Sequence, residues 1–279
     1  METIYNIVEY ILPFSWAQYD FMKNAFLAIL IISPLLGLIG TMVVNNKMAF
    51  FSDALGHSAL TGIAIGSIIG INDPVISMII FGIVFAIMIY SIKSKNVSSN
   101  DTIIAVFSST AIALGLALLS RGGNFSKYSG YLIGDILSIS QNDLCLLLIA
   151  FIFILVFWLI FSNKLLIISI NNLIAKSKGI NTKFIECLFV IIVAITVMIS
   201  IRWVGVLIIN SLLILPAAAS KNIAKNIHQY SGYSIFFSLF SGIFGLISSY
   251  YLKIATGPTI VLIAAIIYFV TLASRIKEN

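Results

Sequence analysis

Charge is what this chain has least of. Only 9% of its 279 residues are Asp, Glu, Lys or Arg, where a soluble domain carries roughly a quarter. Cysteine is almost absent: Cys145 and Cys187 each stand alone in an apolar run, which excludes a disulfide framework and a CxxC site. No Walker A loop, no HExxH and no Ser/His/Asp order is visible, so the chain has no nucleotide site and no hydrolase motif of its own. Any ATP that serves it is bound by another polypeptide. Met42, Met48, Met78, Met88 and Met198 are scattered, with no thioether cluster for copper. The net charge of +6 comes from basic residues spread over segment ends, with no block to engage nucleic acid.

What is present is apolar. The chain is 60% hydrophobic with a mean hydropathy of +1.11, and it contains repeated segments of the ~20 residues needed to cross a bilayer. The expected fold is an all-α, polytopic transmembrane helical bundle of about eight or nine spans. Hydropathy places them near 22–44, 54–71, 74–92, 102–120, 143–162, 184–201, 203–219, 233–252 and 257–274. A further piece, 128–141, is short, holds Asp135, and reads as a re-entrant or surface helix. Residues 1–20 carry Glu2, Glu9 and Asp20 without a basic n-region, so they read as an interfacial segment and not as a cleavable signal. Residues 21–279 then form a single transmembrane domain.

Basic residues orient the spans. With the N-terminus outside and the C-terminus cytoplasmic, 11 of the 16 Lys and Arg fall on the inside and 5 on the outside, as the positive-inside bias requires. The protein is expected in the cell membrane (inner or plasma membrane), in contact with the lipid bilayer. The longest inside loop, 163–183, carries four lysines, and Gly179 followed by Asn181 and Thr182 supplies a helix stop and a helix start. A short cytoplasmic helix is predicted there, either a plain connector or a surface for a cytoplasmic partner. Pro34 is expected to interrupt the first span. Asn210, Ser211 and Pro216 mark 203–219, and with 54–71 it reads as a bundle-interior helix.

The chemistry concentrates in Phe51–Thr61, FSDALGHSALT. Asp53 and His57 are four residues apart, which in a helix puts both on one face. Ionisable groups inside a membrane are costly and mark function by default. One carboxylate and one imidazole suit Zn²⁺ or Mn²⁺, and two ligands leave an ion free to depart. Other readings of the pair stay open: a hydrogen-bonded packing pair, a proton relay in a cation-coupled secondary transporter, or an acid and base in an intramembrane enzyme. Asp135 and Glu186 are the other acidic residues in or near spans. Asp73, in NDP, reads as a turn residue, Asp101 as the N-cap of the following span, and His228 as a solvated loop residue.

Four ordered blocks then carry a resemblance. MAFFSDALGHSALTGIAIG, YLIGDILSISQNDL, ISIRWVGVLIINSLLILPAAASKNIA and SSYYLKIATGPTIVLIAA resemble, in order, the signature segments of the permease subunits of metal-specific ABC importers, the zinc/manganese uptake family. The resemblance runs from about residue 21 to 274. It implies a homodimer of permeases, two copies of an ABC ATPase subunit that bind ATP, and an extracytoplasmic metal-binding solute-binding protein. No cofactor is held permanently; Zn²⁺ or Mn²⁺ is the transported substrate, and the chain is a transport subunit and not itself an enzyme. Asp53 and His57 match the family's Asp-x-x-x-His metal site. The 163–183 loop matches the ATPase-coupling region, with Asn171, Asn172, Ala175 and Gly179 as coupling residues, while Asp135, Asn210, Ser211 and Pro216 are pathway or packing candidates. Two departures stand out. Gly56 precedes the motif His where the family often has Ser, and Asn171 and Asn172 replace an acidic pair.

Overall fold

Long apolar runs can satisfy their backbone in a membrane only as helices or closed barrels, and here every long run is a helix. The computed structural model describes residues 15–95, 99–121, 134 and 136–278. A 3₁₀ turn at Ser15–Gln18 leads into α1 (Asp20–Asn45), followed by α2 (Ala49–Ile69), α3 (Pro74–Lys93) and α4 (Asn100–Arg121). After a second 3₁₀ turn at Ile136–Ser138 come α5 (Gln141–Ile170), α6 (Asn172–Ser177), α7 (Thr182–Ile223), α8 (Ile227–Leu252) and α9 (Thr256–Glu278). Among the described residues there is no strand, and eight helical stretches are long and apolar enough to cross a membrane. The polytopic all-α bundle expected from hydropathy is what forms.

Helix α2 is not one of those eight, although its 21 residues would reach ~31 Å at 1.5 Å each. Its Gly, Ser, Asp and His residues lower its hydropathy, yet 13 of the 21 residues are buried, Asp53 and His57 not among them. It is an interior helix, as expected. So is the Val204–Ile223 half of α7, whose core is 61% buried against 22% for α9.

Several expectations need correcting. Pro34 does not interrupt α1, which runs through it from Asp20 to Asn45; the helix is carried through the one hydrogen bond that Pro removes by the turns on either side. The loop drawn at 163–183 is shorter, because α5 continues to Ile170 on the apolar run LLIISI. Asp101 is not the N-cap of α4. Ser99 is, with its Oγ accepting from the Thr102 amide at 3.2 Å. Asp73 does more than turn the chain, since its carboxylate caps α3 by accepting from the Val75 amide, with Pro74 at the first helical position. Of the surface helix expected at 128–141, residues 128–133 and Asp135 lie outside the described residues. Ile136–Ser138 is a single 3₁₀ turn, and Gln141 already belongs to α5.

A 42-residue helix would be ~63 Å long, about twice the bilayer core, so α7 must break. It does so at Gly205, whose φ of 80° and ψ of 160° lie in a region open essentially to glycine alone. This separates Thr182–Arg202 from Val204–Ile223 as two spans.

The helices group into two compact units. One holds α1 to Thr41, the first half of α5 up to Leu155, and the chain from Trp203 onward; the other holds the chain from Met42 through α4, and Val156–Arg202. In the first, α1 and α8 meet through small residues. Ser234 Oγ donates to the Gly37 carbonyl at 2.6 Å and Tyr230 OH to the Thr41 carbonyl at 3.1 Å. In the second, α2 packs against both α3 and α4. Gly62 and Gly66 admit Met78, Phe81 and Ser77 of α3, and Gly115 of α4 lies against Thr61, whose hydroxyl donates to the Ala111 carbonyl. Small residues let helix backbones approach and add hydrogen bonds where lipid offers none.

Candidate metal site

The second unit carries the ionisable pair. Helix α2 begins at Ala49, so Asp53 is about 6 Å and His57 about 12 Å along the axis from its start at ~1.5 Å per residue. The helix is continuous across Gly56, so this glycine does not break the turn that aligns the two side chains. Asp53 Oδ1 and His57 Nε2 are 3.7 Å apart. That is too long for a hydrogen bond. It is close to the spacing of two ligands on one ion, since donors ~2.0–2.2 Å from a tetrahedral zinc stand about 3.3 Å from each other. A small side-chain rotation closes the difference.

The pair is accessible. Asp53 is 49% and His57 41% exposed, while Ala54, Leu55, Gly56 and Ser58 around them are buried. Asp53 opens onto a cleft of about 300 Å³ between α2 and α4, lined also by Phe50, Asp101, Ile104, Ala105, Ser108 and Ser109. Asp101, read from the sequence only as a helix cap, thus lines the same cleft as Asp53. Sequence offered a weak signal: Ser108 and Ser109, seven and eight positions further along an otherwise apolar helix, lie on the face that Asp101 shares. Among the described residues no three His, Cys, Asp or Glu side chains gather closely enough to hold a metal ion. This arrangement can offer two protein donors and an open coordination sphere, which suits an ion in transit better than a structural centre with four ligands.

The same unit holds the coupling candidates. Asn171 caps α6, accepting at Oδ1 from the amides of Leu173 at 2.8 Å and Ile174 at 3.3 Å. Ala175 is fully buried, and Gly179 ends the turn at φ 73°. The short helix expected from the Gly and Asn signals is therefore present, and beside exposed Asn172, Lys176 and Ser177 it presents Leu173, 74% exposed, next to Ile170 at the end of α5, 78% exposed. Asn172 opens α6 and is exposed. Glu186, one turn into α7, receives Tyr90 OH at 3.4 Å. His228 is exposed in the first turn of α8. Asn210, Ser211 and Pro216 lie in the other unit, on the Val204–Ile223 half of α7; Ser211 Oγ donates back to Leu207 and Pro216 accepts from Ser220. Asp135 is outside the described residues.

Known proteins with the same architecture agree on what this chain resembles. It is 32% identical over 259 residues to the high-affinity zinc uptake system membrane protein ZnuB of Haemophilus influenzae, an alignment covering 92% of this chain and 99% of that protein. It is 28% identical over 262 residues to the manganese transport system membrane protein MntC of Listeria monocytogenes, covering 94% and 93%. Among solved structures, PsaBC from Streptococcus pneumoniae in complex with Fab superposes with a TM-score of 0.80 at 27% identity, covering 97% of this chain and 95% of the other. Residues 18–275 match the ABC 3 transport family, and the chain belongs to that family.

Proposed function

We propose that this chain is the membrane-spanning permease subunit of an ATP-driven importer of zinc or manganese, and that Asp53 and His57 hold the ion in transit. The observation that carries the reading is the half-exposed Asp53–His57 pair, at near-ligand spacing, on an interior helix of an apolar bundle. A carboxylate and an imidazole left open to lipid would be expensive, so this face belongs to a pathway. A second copy of the permease closes that pathway across it. Zinc and manganese are named as the cargo of the relatives, and an oxygen plus a nitrogen donor suits both ions.

The energy comes from outside the chain. Two ATPase subunits bind ATP and dock on α6, and a solute-binding protein delivers the ion from the extracytoplasmic side. The permease then alternates its access between the two sides of the membrane, with the N-terminus outside and α6 in the cytoplasm. Exposed Ile170 and Leu173 beside Lys176, Lys178 and Lys183 form an apolar knob in a basic collar, a shape that fits a groove on a partner. Leu173→Asp is expected to weaken association with the ATPase about thirtyfold, the effect of losing an interface anchor worth ~2 kcal/mol. Affinity of the detergent-solubilised chain for the ATPase measures this, and unchanged affinity would remove α6 as the docking helix.

The reading as a whole is tested by metal uptake into proteoliposomes holding the permease, its ATPase and its binding protein. Uptake should require hydrolysable ATP. Uptake by the permease alone under a proton or sodium gradient would mean a secondary transporter instead.

A further inference from the structure

Around the end of the second unit that carries α6, four segments distant in sequence meet, with polar groups set among the buried apolar side chains of Met48, Leu165, Ile168, Phe189 and Val190. Tyr90, in the last turn of α3, donates its hydroxyl to the Lys183 carbonyl at 2.9 Å and lies 3.4 Å from Glu186 Oε2. Asn45 Nδ2, at the end of α1, donates to Ser169 Oγ near the end of α5 at 3.1 Å. Between them is a cavity of about 30 Å³ onto which Asn46, Tyr90, Lys93 and Glu186 open. A volume of this size holds one or two waters.

These contacts frame α6. The segment Asn171–Asn181 is flanked at one side by Ser169, which is bonded to the end of α1, and at the other by Lys183 and Glu186, which are bonded to the end of α3. One hydroxyl proton has two acceptors, Lys183 O and Glu186 Oε2, on the first turns of α7. Exchange of that proton between its two acceptors requires no change in the apolar packing around it. From Tyr90 the connection continues along α3 to Ser77, Met78 and Phe81, which seat against Gly62 and Gly66 of α2. Helix α2 carries Asp53 and His57.

We infer that Tyr90 and Glu186 form a latch that transmits displacement of the α6 segment to the α2–α3 pair, and so to the metal site. They are positioning residues: neither touches the ion. The inference rests on the reading of the chain as an ATP-driven permease and adds to it the route by which a partner's motion reaches the site. Lys93, facing the same cavity, supplies the counter-charge that keeps the Glu186 carboxylate in place when Tyr90 lets go.

The test uses the full chain assembled with its ATPase and binding protein in proteoliposomes, and reads zinc or manganese ions imported per ATP hydrolysed. Tyr90→Phe keeps the ring and removes the donor, and Glu186→Ala removes the second acceptor. Each should lower ions imported per ATP at least about fivefold while the ATPase still co-purifies in full. Glu186→Gln, which keeps an acceptor oxygen, should restore most of the ratio. Wild-type ratios in both Tyr90→Phe and Glu186→Ala would overturn the latch. So would uptake and hydrolysis falling together at a constant ratio, because a merely structural role predicts that. If one variant fails to assemble, the other decides by the same ratio. Wild-type uptake without ATP would instead overturn the permease reading itself, and it shows in the unmutated complex.

Discussion

Replacing Asp53 or His57 with Ala is expected to cut metal uptake by more than about 100-fold, because residues that merely support a metal ligand already change affinity ~10–100-fold. Each substitution removes one of the two side-chain donors that stand at near-ligand spacing here. Neither should disturb folding much. Both side chains are roughly half exposed, and substitutions at exposed positions usually cost little stability. The variants should therefore reach the membrane and bind the ATPase as the unmutated chain does. His57→Gln gives a sharper comparison: it keeps the size and polarity of the side chain but loses the imidazole nitrogen, and it should be as inactive as His57→Ala. Uptake measured against the amount of assembled complex checks all three. Normal uptake in Asp53→Ala and His57→Ala would take the site away from this pair.

The largest expected effect on the fold comes from Gly40→Ala. A Cβ at position 40 would collide with the Leu213 carbonyl oxygen and lie 2.9 Å from its carbon. Both are backbone atoms, so no rotamer change relieves the clash, and α1 must move away from the second half of α7. Overpacking typically costs ~1–3 kcal/mol, and a backbone collision belongs at the upper end. The thermal unfolding midpoint in detergent should fall clearly, and less protein should reach the membrane. Gly232→Ala is the matched control, because nothing lies within 4 Å of a Cβ there. Equal stability of the two variants would contradict the close α1–α7 approach.

Local signals in the sequence carried most of the architecture, and non-local ones carried the departures. The start of α3 was legible from hydropathy and the NDP turn, though not that Asp73 caps it, and the end of the α6 segment because Gly179 can adopt positive φ where other residues resist. The Asp53–His57 pairing followed from helical spacing alone. Hydropathy could not show that α5 runs on to Ile170, since an apolar run gives no mark where it leaves the membrane. Nor could it show that Pro34 sits inside an unbroken helix, because a proline in an apolar run can stop, kink or simply ride within a helix. Asp101 was assigned a capping role that Ser99 takes, and the cleft it shares with Asp53 depends on how α4 packs on α2. The bond between Tyr90 and the start of α7 joins residues 93 positions apart. No periodicity reports a contact of that kind.

The central claim is that one zinc or manganese ion passes between Asp53 and His57. X-ray absorption at the zinc edge of the assembled, zinc-loaded complex without ATP tests it most directly. The account expects nitrogen and oxygen neighbours at ~2.0–2.2 Å, with imidazole outer scattering that disappears in His57→Ala. An unchanged spectrum in His57→Ala and Asp53→Ala would contradict it.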